Sequence, residues 1–161
     1  MTNLRIGFGF DVHKLSEGVD FNLGGIIILH KKGSVGHSDA DVLIHAICDA
    51  LLGAANLGDI GKIFPDTDTK YKNIDSKILL KDVVRLLVDK NYSIVNIDST
   101  ICLQTPKLSG YIPKMKDVLS DCIGISSDLI SIKATTTEKL GFVGKEDGVS
   151  SYATVLIQKN N

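Results

Sequence analysis

Residues 38–54 read SDADVLIHAICDALLGA, and this stretch decides the architecture. Val42, Ile44, Ala46, Ile47, Ala50, Leu51 and Ala54 recur at spacings that put apolar side chains over most of a helical surface, which predicts a largely buried helix. Ser38 with Asp41 resembles a capping box at its start, and the helix is expected to stop before Gly58. A helix buried this fully needs layers around it, and the flanking sequence supplies them. Upstream, Leu4 to Phe10 and Phe21 to Leu29 are strand-like pieces, with the Gly24-Gly25 pair a bulge or turn in the second. Downstream, Ser76 to Lys90 places Leu79, Val83, Leu86 and Leu87 on one helical face and Lys77, Lys81, Arg85 and Asp89 on the other. Tyr92 to Gln104 alternates, with Val95, Ile97, Ile101 and Leu103 opposite Asn96, Asp98 and Thr100, and reads as a long strand. Pro113 suits a first helical turn, Met115, Val118, Leu119 and Cys122 follow at helical spacing, and Gly124 is the stop. Leu129 to Thr135 and Ser151 to Gln158 are two more strands. Helices alternating with strands, without repeat or linker, predict one α/β (α+β) domain over residues 1–161, a sheet with helices packed on it.

Composition narrows the function. A chain of 161 residues that is 43% hydrophobic has enough apolar material for one continuous core. The balance of 18 Lys plus Arg against 19 Asp plus Glu leaves a net charge of -1. That gives no basic field for nucleic acid or a membrane surface, so small molecules and other subunits are the expected partners. No apolar run approaches the roughly 20 residues of a membrane span, and MTNLRIGFGF lacks a signal-type charged and apolar pattern. A cytoplasmic protein of bacterial type is expected, or one of a plastid-like organelle if a transit peptide has been removed. Cys48, Cys102 and Cys122 are odd in number and form no CxxC pair, so all three read as buried small hydrophobes.

Several clusters carry chemistry. Asp11-Val12-His13 puts two metal-competent side chains two residues apart, on one side of the chain if the strand continues. His45 lies in the apolar part of the first helix, and two histidines with one aspartate and an open position would suit catalytic zinc. A DxH tripeptide also arises by chance, and a single helix histidine is more often a hydrogen-bonded core residue. His37 and Ser38-Asp39-Ala40-Asp41 place an imidazole, a hydroxyl and carboxylates at a helix start, which serves capping and equally suits phosphate oxygens. Gly58-Asp59-Ile60-Gly61 and Phe64-Pro65-Asp66-Thr67-Asp68 have ordinary turn chemistry. Thr135-Thr136-Thr137-Glu138-Lys139 at a strand end could bind phosphate and magnesium, or be a polar turn. Thr105-Pro106-Lys107 reads by itself as a strand exit.

Taken together, GFGFDVHKL, HSDADVLIHAICDALLGAANLGDIGKIFPDTD, QTPKL and IKATTTEKLGF, in this order and spacing, closely resemble the 2-C-methyl-D-erythritol 2,4-cyclodiphosphate synthase family across almost the whole chain. The resemblance implies a homotrimer, with helices on the outer side of each sheet and active sites between neighbouring subunits. It implies Asp11, His13 and His45 as zinc ligands, one Zn2+ per subunit, and Glu138 at a Mg2+ or Mn2+ on the diphosphate. His37 and Thr136 fall at positions of transition-state stabilisation. Asp59 and Gly61 correspond to ribose contacts, while Pro106, Lys107 and Leu108, with Ala134, Thr135 and the adjoining Thr137, fall at the cytidine diphosphate pocket. Ser38 and the Phe64, Asp66 and Asp68 loop match the part holding the methylerythritol phosphate.

The implied reaction converts 4-diphosphocytidyl-2-C-methyl-D-erythritol 2-phosphate to the 2,4-cyclodiphosphate and CMP, in the methylerythritol phosphate route to isoprenoid precursors. The 2-phosphate is already largely dianionic near neutral pH, its second pKa being about 6, so the task is to bring two anions together. Two departures stand out. Ala40 replaces a glycine common in the family, a change that a helical first turn should accept. Lys145, after Phe142, stands where many relatives carry an arginine near the trimer axis. A lysine lacks the two-pronged phosphate grip, which weakens the case for isoprenoid diphosphate binding in a central cavity and leaves it open. Two alternatives use the same residues: a metal-dependent phosphohydrolase, and a non-catalytic trimeric cytidine-nucleotide-binding module.

Overall fold

The computed structural model describes residues 3–65 and 67–160. The chain opens with strand β1 (Leu4–Glu17), the short strands β2 (Phe21–Leu23) and β3 (Ile26–Ile28), and β4 (Lys32–Val35). Helix α1 (Val42–Ala54), the single turn α2 (Ile60–Ile63) and helix α3 (Ser76–Asp89) follow, then strand β5 (Tyr92–Cys102) and helix α4 (Ile112–Ile123). Strand β6 (Ile130–Thr135), the turn α5 (Gly141–Gly144) and strand β7 (Gly148–Lys159) complete it. Among the described residues, five strands form one mixed sheet in the order β4-β1-β7-β5-β6, in which β5 and β6 run parallel and the other pairs antiparallel. The strands β2 and β3 form a separate hairpin.

The expected α/β domain is thus present, and the elements differ from expectation where local chemistry was ambiguous. The predicted strand from Phe21 to Leu29 breaks at Gly24 and Gly25, both at positive φ, into β2 and β3; only glycine adopts two such residues in succession freely. The first strand runs on to Glu17, and β4 was not predicted. Helix α1 begins at Val42 and is capped by Asp41 rather than Ser38. The Asp41 carboxylate is fully buried and accepts from the Leu43 and Ile44 N–H groups of the helix and from Gly24 and Gly25. One side chain therefore serves both a helix end and the hairpin turn. Burial pushes its carboxyl up against the opposing pull of these donors.

Ala40 is not in a helical first turn. It has φ 56, in the left-handed region, because the loop must reverse before Asp41 can cap. Cys48 is buried as expected, whereas Cys102 and Cys122 are only half-buried.

Leu43, Ile44, Ile47, Leu51 and Leu52 of α1 are fully buried, at about 1.5–3 kcal/mol each. They pack with Leu80, Val83 and Leu87 of α3, Met115 and Leu119 of α4, and the inward residues Ile97, Ile101, Val155 and Ile157 of the sheet. The opposite sheet face exposes Ile6, Phe8, Phe10, Val12 and Tyr152, and the Phe10 and Tyr152 rings lie 5.1 Å apart. The described residues contain no helix long and apolar enough to cross a membrane.

Candidate active site

Two glycines set the position of the site. A Cβ on Gly9 would lie 1.9 Å from the Ala46 carbonyl oxygen, and one on Gly7 1.8 Å from that of Ala50. Only glycine lets the backbone of α1 come this close to β1. Alternation then carries the same face of the strand onward to Asp11 and His13, which meet His45 one turn from the start of α1.

Asp11 Oδ2 lies 3.0 Å from both His13 Nε2 and His45 Nδ1, and the two nitrogens are 3.1 Å apart. These edges are near the ~3.3 Å between corners of a tetrahedron with bonds of about 2.0 Å. Among the described residues this is the one group of three such side chains whose donor atoms converge. Burial pushes the Asp11 carboxyl up, but hydrogen bonds and charge from His13 and His45 outweigh it and hold it at about 2. Burial pushes His45 down, and Asp11 outweighs that, leaving it raised. Three electron-rich atoms at this separation repel one another unless protons or a cation lie among them, and the donor set fits a divalent metal.

The triad opens into a cavity of about 230 Å³ whose wall includes His37, Ser38, Gly61, Phe64, Tyr71 and Ile74. Ser38 Oγ and Ser76 Oγ each lie 3.0 Å from His45 Nε2. His37 Nε2 is buried without a hydrogen-bond partner among the described residues. The Phe64 and Tyr71 rings meet edge to face at 5.3 Å. Asp59 caps α2 by accepting from Lys62 N–H, and Asp49 anchors the same turn by accepting from Ile60 N–H at 2.7 Å. Asp68 caps the short turn at Thr69–Tyr71, and Asp66 lies outside the described residues.

A second cavity of about 240 Å³ brings together Gln104, Pro106, Lys107, Leu108, Ala134, Thr135 and Thr136. It shares no lining residue with the first. Just beyond it Glu138 and Lys139 both hold positive φ. Thr136 Oγ donates to the Glu138 carboxylate at 3.1 Å, Thr137 Oγ donates to Leu140 O, and Lys139 N–H donates to Gln104 Oε1 at 3.2 Å. One chain therefore unites the triad with His37, Ser38 and Gly61, and unites the Pro106 and Thr135 groups. It does not bring His37 to Thr136. Phe142 and Lys145 are exposed and line neither cavity.

Sequence reading missed Tyr71, Ile74, Asp49, Gln104 and Ser76. In the sequence Asp39 reads only as part of a helix-start run, and Ser76 only as a helix start. Asp39, Asp49, Ser76 and Gln104 act on partners 11 to 37 positions away, so no local pattern marks them.

The family model described as the YgbB family matches residues 4–158. A 2-C-methyl-D-erythritol 2,4-cyclodiphosphate synthase of Bacteroides fragilis is 64% identical over 156 residues, covering 97% of this chain and 98% of the relative. Plasmodium falciparum IspF in complex with CDP is 34% identical with a TM-score of 0.87, covering 100% of this chain and 99% of that one. A solved 2C-methyl-D-erythritol-2,4-cyclodiphosphate synthase in a CDP-bound form is 35% identical with a TM-score of 0.89, over 96% and 100% of the two chains. A match of this extent, over the glycines that seat α1 and the triad that they bring together, places the chain in the YgbB family.

Proposed function

We propose that this chain is the enzyme that closes 4-diphosphocytidyl-2-C-methyl-D-erythritol 2-phosphate to 2-C-methyl-D-erythritol 2,4-cyclodiphosphate and releases CMP, in the methylerythritol phosphate route to isoprenoid precursors. The observation that carries this reading is the convergence of Asp11, His13 and His45 at 3.0–3.1 Å on the wall of a cavity lined by His37 and Ser38. In this reading Asp11, His13 and His45 hold one Zn2+, and Glu138 meets a Mg2+ or Mn2+. When bound, these ions offset the repulsion between the two phosphates and polarise the attacked phosphorus.

The chain's own residues do the rest. His37, whose Nε2 has no partner in the chain among the described residues, and the Ser38 hydroxyl face the methylerythritol side. Pro106, Lys107 and Leu108 with Ala134 and Thr135 hold the cytidine diphosphate, as the CDP bound by the solved relatives supports. The substrate phosphate needs no strong base, so binding and in-line orientation dominate.

The two groups belong to one site only if neighbouring subunits face each other. Separate cavities, and an exposed sheet face with Ile6, Phe8, Phe10, Val12 and Tyr152, support a homotrimer with sites between chains. The test is phosphorus NMR of the purified protein with the diphosphocytidyl substrate and magnesium. Cyclic diphosphate plus CMP is expected. A linear phosphate would identify a hydrolase, and cytidine binding without turnover would identify a non-catalytic module.

A further inference from the structure

Ser76 is fully buried at the start of α3, and Asp39 lies in the loop before α1. Asp39 grips Ser76 with both oxygens: the Ser76 N–H donates to Oδ2 at 3.1 Å, and the Ser76 hydroxyl donates to Oδ1. With its hydrogen committed there, Ser76 Oγ offers only lone pairs to His45 Nε2, 3.0 Å away. The imidazole must then donate from Nε2, which leaves the Nδ1 side of the ring directed at Asp11 and His13. Ser38 Oγ is equally near Nε2 but is half-buried, and its hydrogen has no other acceptor in the chain among the described residues. Alone, it would permit either tautomer. Two backbone bonds strap the segments together, Asp39 N–H to Ile74 O at 3.0 Å and Asn73 N–H to His37 O at 2.8 Å.

We propose that Asp39 and Ser76 are positioning residues that fix the tautomer and ring orientation of His45, and thereby set the affinity of the Asp11, His13 and His45 triad for a divalent cation. The inference rests on reading that triad as a metal centre. It differs from a purely structural pin for α3, because a carboxylate–hydroxyl–imidazole chain ending on a ligand nitrogen acts on the metal itself.

The test uses cobalt(II) as probe, with affinity measured by chelator competition at one pH and the ligand-field spectrum recorded. Ser76→Ala and Asp39→Asn should each weaken cobalt binding by about 10–100-fold, and Ser76→Thr, which restores the hydroxyl, should recover most of it. Circular dichroism checks each fold, and Asp39→Asn carries the test if Ser76→Ala does not fold. Wild-type affinity and spectrum in the folded variants overturn the proposal while the metal centre stands. A loss in Ser76→Ala that Ser76→Thr does not restore, with a parallel loss of metal-free stability, indicates packing alone and also overturns it. If wild-type protein binds no cobalt, or His45→Ala binds it equally well, the metal centre fails and the proposal with it.

Discussion

Asp11 Oδ2 and His45 Nδ1 stand 3.0 Å apart although 34 positions separate the two residues, one on a strand and the other on the helix laid across it. In metal-free protein this contact makes stability depend on pH. Asp11 is depressed from 3.8 to about 2, so its contribution is present above about 3.8 and is lost as pH falls through about 2. His45 is raised above 6.5, so its contribution is complete below 6.5 and is lost as pH rises through the raised value. The melting temperature of metal-free wild type should exceed that of Asp11→Asn most between about pH 4 and 6.5. A difference that does not vary with pH would show that the pair is not ionic.

His13→Ala and His45→Ala should each abolish stoichiometric zinc binding and reduce turnover by more than the about 10–100-fold typical of losing an outer partner. Elemental analysis of folded protein decides it. Full zinc content in either variant would remove that residue from the centre.

Gly9→Ala tests the link between packing and site. The added methyl meets the Ala46 carbonyl oxygen at 1.9 Å, and both belong to backbone that cannot step aside. Denaturant unfolding should show a loss of about 3 kcal/mol or more, with cation affinity falling in whatever folded protein remains. A neutral substitution would mean that α1 can lift from β1 freely.

Ala40→Gly should be close to neutral. A left-handed alanine costs about 1–2 kcal/mol, while glycine gives back about 0.4–1 kcal/mol through its freer unfolded chain and about 0.8 kcal/mol with the buried methyl, so a change of less than about 1 kcal/mol is expected from chemical denaturation. A larger loss would show that the loop around φ 56 carries little strain.

A site divided between chains predicts complementation. His45→Ala and Lys107→Glu proteins, each inactive alone, should regain part of the activity after subunit exchange, because some interfaces then carry neither defect. If mass spectrometry confirms mixed trimers and activity stays absent while exchanged wild type survives, the shared site is refuted. An active monomer by light scattering would refute it more directly.

The sequence by itself determined the elements and the ligand types. Helical spacing through residues 42–54, alternation after Tyr92, and Pro113 with Gly124 around α4 are local signals, written in neighbouring residues, and the structure contains all of them. The DVH spacing likewise guaranteed that Asp11 and His13 share a face once β1 continued past Phe10. Tertiary structure decided what rests on distant partners. The capping-box pattern pointed to Ser38 as the cap, and Asp41 took the role because it could also bind the Gly24 and Gly25 N–H groups in the core. Ala40 looked harmless until the chain's path gave it a positive φ. Ser76 was one more helix-start residue until Asp39 and His45 closed around it. Periodicity is a property of consecutive residues, whereas a buried hydrogen bond between positions 37 apart exists only after the core has brought their segments together.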